Sequence, residues 1–174
     1  AAVAILHLPR RGQLLVTALL LGVYWALMLC VPFADHSAGI LEEKANLALY
    51  IDHLVLGRFR VPDSTYAWIL PGLGNGATVL LGVMAGHLLR SGWSAGMKAA
   101  WLVLAGLACL ALGWAMAGGP VPVLSQGLPQ EAASGWMRWW WGIRFPIIKH
   151  LWTSSMVLYA AGWSYLLLAL FYLL

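Results

Sequence analysis

The chain has 174 residues, of which 62% are hydrophobic and only 9% are charged. About a quarter of the residues of a soluble domain are charged, so this composition excludes an ordinary water-soluble domain and indicates an integral membrane protein with the lipid bilayer as its first partner. The formal net charge of +4 therefore bears on membrane orientation, and we expect no nucleic-acid partner.

The first third of the chain predicts one membrane span and one short surface helix. Residues 1–8 resemble the tail of a preceding helix that Pro9 ends, and the first full span is predicted over residues 12–33. A polar connection, residues 34–67, then contains a short helix that Asn46 caps and Gly57 ends. We expect this helix to lie on or dip into the membrane interface, because its apolar residues share one face: Leu47, Tyr50, Ile51, Leu54 and Val55.

The second predicted span, residues 68–90, is rich in small residues. Gly72 with Gly76 and Gly82 with Gly86 match the small-xxx-small pattern of packed membrane helices. Its amide, Asn75, is expected to hydrogen bond within the bundle or to face a wet cavity. A basic turn, residues 91–98, leads to a third span over residues 99–118.

The last predicted span covers residues 151–174 and follows a second connection, residues 119–150. That connection carries tryptophans within residues 136–141, which suit an interfacial belt or a surface that stacks on a sugar ring. The predicted fold is thus an all-α, polytopic transmembrane helix bundle in one region, residues 1–174, with four full spans. Both ends of the chain suggest a fragment of a larger bundle.

The distribution of charge predicts an orientation. All six acidic residues lie in the two long connections, whereas the two short turns carry Arg10, Arg11, Arg90 and Lys98 and no acid. Because lysine and arginine in short loops mark the cytoplasmic side, the short turns are predicted to be cytoplasmic and the long connections non-cytoplasmic.

Polar residues gather where the last span begins. Lys149 and His150 precede it, and Trp152, Thr153 and Ser154 fall in its predicted first turn. A cation beside unpaired backbone N–H groups can bind an anion or a polarised carbonyl group. A snorkelling lysine next to an ordinary helix cap explains the same residues, and the pattern leaves both interpretations open.

Other ionisable residues give weaker signals. Asp52 and His53 are adjacent on a helix and point about 100° apart, which argues against a direct catalytic dyad. The five histidines show no i, i+4 pair and no cysteine at ligand spacing, so no metal is expected. Cys30 and Cys109 both lie in apolar runs and are expected to be buried small residues.

Three runs carry a resemblance to a known family: PIIKHLWTSSMVLYAAGWSYLLLALFYLL (146–174), LLGVMAGHLLR (80–90) and NLALYIDHLVLG (46–57). Together they resemble the heparan-α-glucosaminide N-acetyltransferase family and its bacterial membrane homologues. The resemblance implies a larger enzyme, in a bacterial inner membrane, that moves acetyl from cytosolic acetyl-CoA to an amino-sugar or glycan acceptor on the other side. It also implies an N-terminal half of the same protein as a partner.

The chain departs from the family pattern at several positions. Ile148, Lys149 and His150 replace an Asn-Lys-Asn run, and residues 65–68 replace an Asp-Pro-Glu-Gly run. The histidine regarded as catalytic in the family lies in the N-terminal half, and His7 is not its equivalent. We therefore assign no catalytic residue in this chain.

The resulting hypothesis is a substrate site made from the second connection, the short helix and the second span. Lys149 and His150 would orient the acyl group or acceptor, Asn75 would hydrogen bond within the bundle, and Asp52 with Arg58 would shape the acceptor site. Trp152, Thr153 and Ser154 complete the predicted substrate-binding set. The sequence also leaves open a transporter or other non-catalytic component that recognises a polar solute. It does not distinguish N-acylation from O-acylation, and it allows a homodimer.

Overall fold

The computed structural model describes residues 2–42, 44–61, 64–118 and 144–174. Their regular secondary structure is helical, and their only β-type pairs are two isolated bridges, Phe33–His36 and Leu41–Asn46. The all-α prediction is confirmed for the described chain. The helices are α1 (Ala2–His7), α2 (Arg10–Cys30), α3 (Leu47–Leu56), α4 (Pro71–Leu89), α5 (Ala95–Met116) and α6 (Ser154–Leu173), with a 3₁₀ turn at Gly57–Phe59.

Four of these helices, α2, α4, α5 and α6, are long and apolar enough to cross a membrane. The polytopic prediction is therefore supported, and each predicted span corresponds to one helix. The largest difference in bounds is at α5, which begins at Ala95 and was predicted from residue 99. Ser94 caps α5 by accepting a hydrogen bond from the Met97 N–H, so Lys98 lies inside the helix and not in the preceding turn.

The spans run antiparallel along the chain from α4 to α6. The five-residue turn 90–94 joins α4 to α5, and α5 makes its most extensive contact with α6. α2 packs against α4, with Gln13 at the start of α2 beside His87 near the end of α4. We call the end of the bundle that carries α3 and residues 144–153 the rim, and the opposite end, with residues 90–94, the turn end.

Two groups of buried side chains hold this arrangement. A central core joins α2, α4, α5 and α6, and a second core at the rim joins the end of α2 to α3 and to residues 67–70 and 145–151. The largest side chains of the rim core are Tyr24, Met28 and Phe145, each at most 1% exposed. The rim is therefore a packed part of the molecule and not a set of loose loops.

The closest helix contact lies between α5 and α6 and uses glycine on both sides. A Cβ added at Gly162 would lie 2.6 Å from Leu110 Cγ and 2.8 Å from the Gly106 carbonyl oxygen. A Cβ at Gly113 would lie 2.9 Å from the Ser155 carbonyl oxygen. Only glycine permits the two backbones to approach this closely.

The glycines of α4 behave differently from the prediction. A Cβ at Gly72, Gly82 or Gly86 would meet no atom of the described chain within 4 Å. The expected packing of the two small-xxx-small pairs is therefore wrong for these three residues as far as the described chain extends. Gly76 does pack, with Leu20 at 3.4 Å from its Cβ position, and Gly74 makes a closer contact that belongs to the rim.

The helical backbone is interrupted at Pro9, and the side-chain amide of one buried residue supplies hydrogen bonds there. Gln13 is only 2% exposed, and its Nε2 donates to the carbonyl oxygens of Ile5 at 3.3 Å and Leu8 at 3.1 Å. Its Oε1 lies 3.2 Å from His87 Nε2. α1 thus ends before Pro9, as predicted, and Gln13 supplies hydrogen bonds where the helix is interrupted.

Candidate functional site at the rim

α3 is held at the rim by a cap at its start and a carboxylate at its centre. Asn46 Oδ1 accepts from the Leu49 N–H at 2.9 Å, and Gly57 ends the helix with φ of +49°, which confirms both predicted helix signals. Asp52 is completely buried and accepts from the backbone N–H groups of Trp68 at 2.6 Å and Ile69 at 3.0 Å. Asp52 therefore joins α3 to the segment that leads into α4.

The predicted apolar face of α3 points mostly away from the bundle. Tyr50, Leu54 and Val55 are exposed, the last two by 72% and 64%, whereas Leu47 is buried. A helix with a polar anchor inward and an apolar face outward suits the boundary between bilayer and water. This arrangement agrees with the interfacial position expected from the sequence.

The segment that leads into α6, residues 144–153, is named here the connector. Its last part forms a turn in which the Trp152 N–H donates to the Lys149 carbonyl oxygen at 3.2 Å. Trp152 has φ of +50°, in the left-handed region that a helix cannot contain. α6 consequently begins at Ser154, three residues after the predicted start, and a turn separates Lys149 and His150 from the helix.

Side-chain hydroxyl groups fix the backbone of the connector. Thr153 Oγ1 donates to the Pro146 carbonyl oxygen at 2.8 Å and accepts from the Ile148 N–H at 3.1 Å. Ser155 Oγ donates to the same Pro146 oxygen at 3.1 Å. The three side chains at 153–155 are fully buried. The hydroxyls of Thr153 and Ser155 thus close the connector on itself.

Two further hydroxyls attach this part of the chain to α2. Ser154 Oγ donates to the Leu21 carbonyl oxygen at 2.8 Å, and the Tyr24 hydroxyl donates to the carbonyl oxygen of Leu151. The hydroxyls of the predicted site residues Thr153 and Ser154 thus donate hydrogen bonds to backbone carbonyl oxygens. Burial removes both from solvent, so in this conformation they position the connector, and the substrate-binding role expected for them stays a prediction.

Trp152 attaches the connector to α4. Its Nε1 donates to Thr78 Oγ1 at 3.3 Å, and its carbonyl oxygen would lie 2.7 Å from a Cβ at Gly74. Gly74 is therefore the residue that allows the connector to rest on α4. Asn75 is the next residue of α4 after Gly74, and its side chain is exposed.

Three of the predicted site residues remain available at this surface. Lys149 is exposed, and its ammonium group has no partner in the described parts of the chain. His150 is half-buried, with its ring edge-on to Tyr66 at 6.1 Å between centroids. Asn75 is exposed, and the bond within the bundle expected for it is not formed to any described residue. All three therefore keep polar groups that a ligand could reach.

Arg58 stands apart from this surface. Its guanidinium carbon lies 5.1 Å from the centroid of the neighbouring Phe59 ring, and it makes no ion pair with Asp52. Asp52 instead contacts the Trp68 amide, two residues from the Tyr66 ring that meets His150. The expectation that Asp52 and Arg58 shape the acceptor site stays a prediction, and Asp52 supports the segment beside His150.

Within residues 2–42, 44–61, 64–118 and 144–174, no three histidine, cysteine, aspartate or glutamate side chains cluster in a way that could hold a metal ion. The predicted tryptophan belt at residues 136–141, with most of the second connection, lies outside the described residues. Comparisons with protein families, with characterised proteins and with solved structures gave no match.

The sequence analysis did not anticipate Tyr24 or Gly74. A tyrosine in an apolar span needs a hydrogen-bond partner for its hydroxyl, so the sequence could have identified Tyr24 as a donor. The sequence does not show which group accepts that bond. Gly74 stands among six other glycines and alanines of α4, and no local signal separates it from them. The left-handed backbone of Trp152 has no signal in the sequence.

Proposed function

We propose that this chain is part of a membrane acyltransferase that moves acetyl from cytosolic acetyl-CoA to an amino-sugar or glycan acceptor on the non-cytoplasmic side. The family resemblance of residues 146–174 motivates the reaction. The observation that carries the proposal is the connector itself, whose buried hydroxyl bonds hold its backbone while Lys149 stays exposed and His150 half-buried at the rim.

Acyl transfer needs a positive group where negative charge develops. An acceptor amine or hydroxyl adds to the thioester carbonyl, the carbonyl oxygen becomes an oxyanion, and the thiolate of CoA then leaves. In the proposal Lys149 faces that oxygen, and His150 and Asn75 hydrogen bond to the acceptor. The base that takes the acceptor's proton is assigned to no residue of this chain.

The fixed residues serve this surface indirectly. Asp52 holds the segment beside His150, and Thr153, Ser154 and Tyr24 hold the connector. Their substitution is expected to displace Lys149 and His150 without removing a group that contacts substrate. Such positioning from a rigid second layer is a general requirement for precise reaction geometry.

A labelled acetyl-transfer assay tests the proposal. The full-length protein in proteoliposomes is given acetyl-CoA labelled in the acetyl group, with glucosamine as acceptor, and the labelled product is counted. We expect label on the amino sugar, a loss of about tenfold or more for Lys149→Gln, and partial recovery for Lys149→Arg. The matched control is Lys44→Gln, since Lys44 is an exposed cation in the first connection.

Two results would overturn the assignment. Absence of any acetyl-CoA-dependent label on an amino or hydroxyl acceptor would exclude the reaction. Uptake of a polar solute that needs no acetyl-CoA, lost in Lys149→Gln but not in Lys44→Gln, would instead establish the transporter that the sequence leaves open.

A further inference from the structure

A second surface, at the turn end, has features that the acyltransferase proposal does not use. Trp93, Ser94, Met97 and Trp101 line an open groove of about 370 Å³. The two indole rings lie 6.0 Å apart at an angle of 35°. Trp93, Met97 and Trp101 are each about half exposed, at 50%, 51% and 47%. Two large aromatic side chains therefore form walls of a groove that no described residue fills.

The groove continues into the apolar surface of a span. Ser94, Met97 and Trp101 follow helical spacing at the start of α5, and Leu104, which is 56% exposed, is the next residue on the same side. α5 is a candidate membrane span. An acyl chain that follows this side of α5 would thus enter the groove between the two tryptophans.

The surroundings of the groove are positively charged. Arg90 is exposed and has no partner in the described chain, and Lys98 lies in the first turn of α5 with its Nζ 2.9 Å from the Leu89 carbonyl oxygen. The sequence contains no aspartate or glutamate between residues 64 and 130. The segment that carries the groove therefore has two cations and no acid in its sequence, which favours a negative headgroup.

From the groove, the continuous apolar side of α5 and this charge we infer that the turn end binds an anionic phospholipid. Its phosphate lies towards Arg90 and the Ser94 hydroxyl, and its acyl chain passes between Trp93 and Trp101 towards Leu104. An ordinary interfacial tryptophan belt would accept any lipid equally. The inference differs from that arrangement because it requires selectivity for negative headgroups, and it does not depend on the proposed acyltransferase.

Quenching of tryptophan fluorescence by brominated lipid tests this inference. The full chain is reconstituted in phosphatidylcholine bilayers containing an equal fraction of either brominated phosphatidylglycerol or brominated phosphatidylcholine. We expect stronger quenching by the phosphatidylglycerol probe. The double variant Trp93→Phe/Trp101→Phe should lose that excess, whereas Trp114→Phe, which removes a similarly exposed tryptophan at the other end of α5, should keep it.

Variants of Arg90 test whether lipid binding requires a positive charge at this position. Arg90→Gln should lower the affinity for phosphatidylglycerol relative to phosphatidylcholine about fivefold, since one basic residue near an anionic surface contributes about 1 kcal/mol, and Arg90→Lys should retain the preference. Native mass spectrometry of retained lipid gives the same ratio without fluorescence. Equal quenching by the two probes in the unaltered chain, or an excess that survives in the double tryptophan variant or in Arg90→Gln, would overturn the inference.

Discussion

The glycines of α4 and those at the α5–α6 contact look alike in the sequence but do different things in the structure. Gly106, Gly113 and Gly162 bring two backbones together so closely that a Cβ would fall within 3 Å of a neighbouring atom at each. Gly72 and Gly82 have open space where a Cβ would be. Spacing alone therefore does not identify a packing surface, because the opposite surface decides whether the small residue is needed.

The same comparison holds inside α4. Gly74, between two glycines that are less constrained, lies against the Trp152 backbone. The connector thus meets α4 at Gly74 and Thr78, whereas α5 and α6 meet over the length of both helices. We therefore expect substitutions in these contacts to differ in how far they lower the free energy of unfolding.

The largest effect is expected for Gly162→Val. Its branched side chain would occupy the place of Leu110 and of the Gly106 carbonyl group, so the two helices must separate. Overpacking of this kind costs roughly 3 kcal/mol. The free energy of unfolding in mixed detergent micelles measures it, and a loss below about 1 kcal/mol would contradict the close α5–α6 contact.

A smaller effect is expected for Gly74→Ala. The added methyl group would lie 2.7 Å from the Trp152 carbonyl oxygen and 2.9 Å from its Cδ1, which must push the connector away from α4. We expect a loss of about 1–2 kcal/mol together with faster tryptic cleavage after Lys149. Gly76→Ala is the matched control, because the neighbouring atom there is the end of the Leu20 side chain at 3.4 Å. Equal cleavage rates in both variants would contradict the contact.

Ser154→Ala tests an attachment made by a hydrogen bond in place of close packing. The variant removes the buried bond from Ser154 to the Leu21 carbonyl oxygen, for which we expect a loss of about 1 kcal/mol in the same unfolding measurement. Ser164→Ala is the control, since the exposed Ser164 hydroxyl bonds only within its own helix, to Ala160. The attachment of α6 to α2 would be in doubt if both variants unfolded alike.

The smallest effect is expected for Gly82→Ala. A methyl group there meets nothing in the described chain, and alanine favours a helix over glycine, so stability should stay within about 0.5 kcal/mol or rise slightly. Thermal unfolding in detergent and in lipid bilayers provides the measurement. A clear loss that occurs only in the bilayer would reveal a partner on this face and would remove the contrast with Gly162.

Local signals in the sequence were enough for the helices. Long apolar stretches predicted the four spans, and Asn46 and Gly57 predicted both ends of α3, because hydropathy and capping depend on neighbouring residues. The predicted start of α5 is four residues late although Ser94 is a local cap signal, because the apolar run on which the prediction rests begins at residue 99.

The arrangement of the rim could not be predicted in the same way. The Tyr24 hydroxyl and the Leu151 carbonyl group are 127 residues apart, and Ser154 and Leu21 are separated by 133. Thr153 and Ser154 look like ligand-binding groups in the sequence because nothing local shows that distant carbonyl oxygens take up their hydroxyls. Lys149, His150 and Asn75 were selected by the same reasoning, but they are more exposed and form no hydrogen bond with a distant residue among those that the structure describes.

The amide of Gln13 has a consequence for anyone who redesigns this chain. Replacement by leucine would raise the mean hydropathy of α2 and would make it look a better membrane helix. It would also remove the side-chain donor that Gln13 offers to the carbonyl oxygens of Ile5 and Leu8, just before Pro9. A substitution chosen from hydropathy alone would thus weaken the junction between α1 and α2.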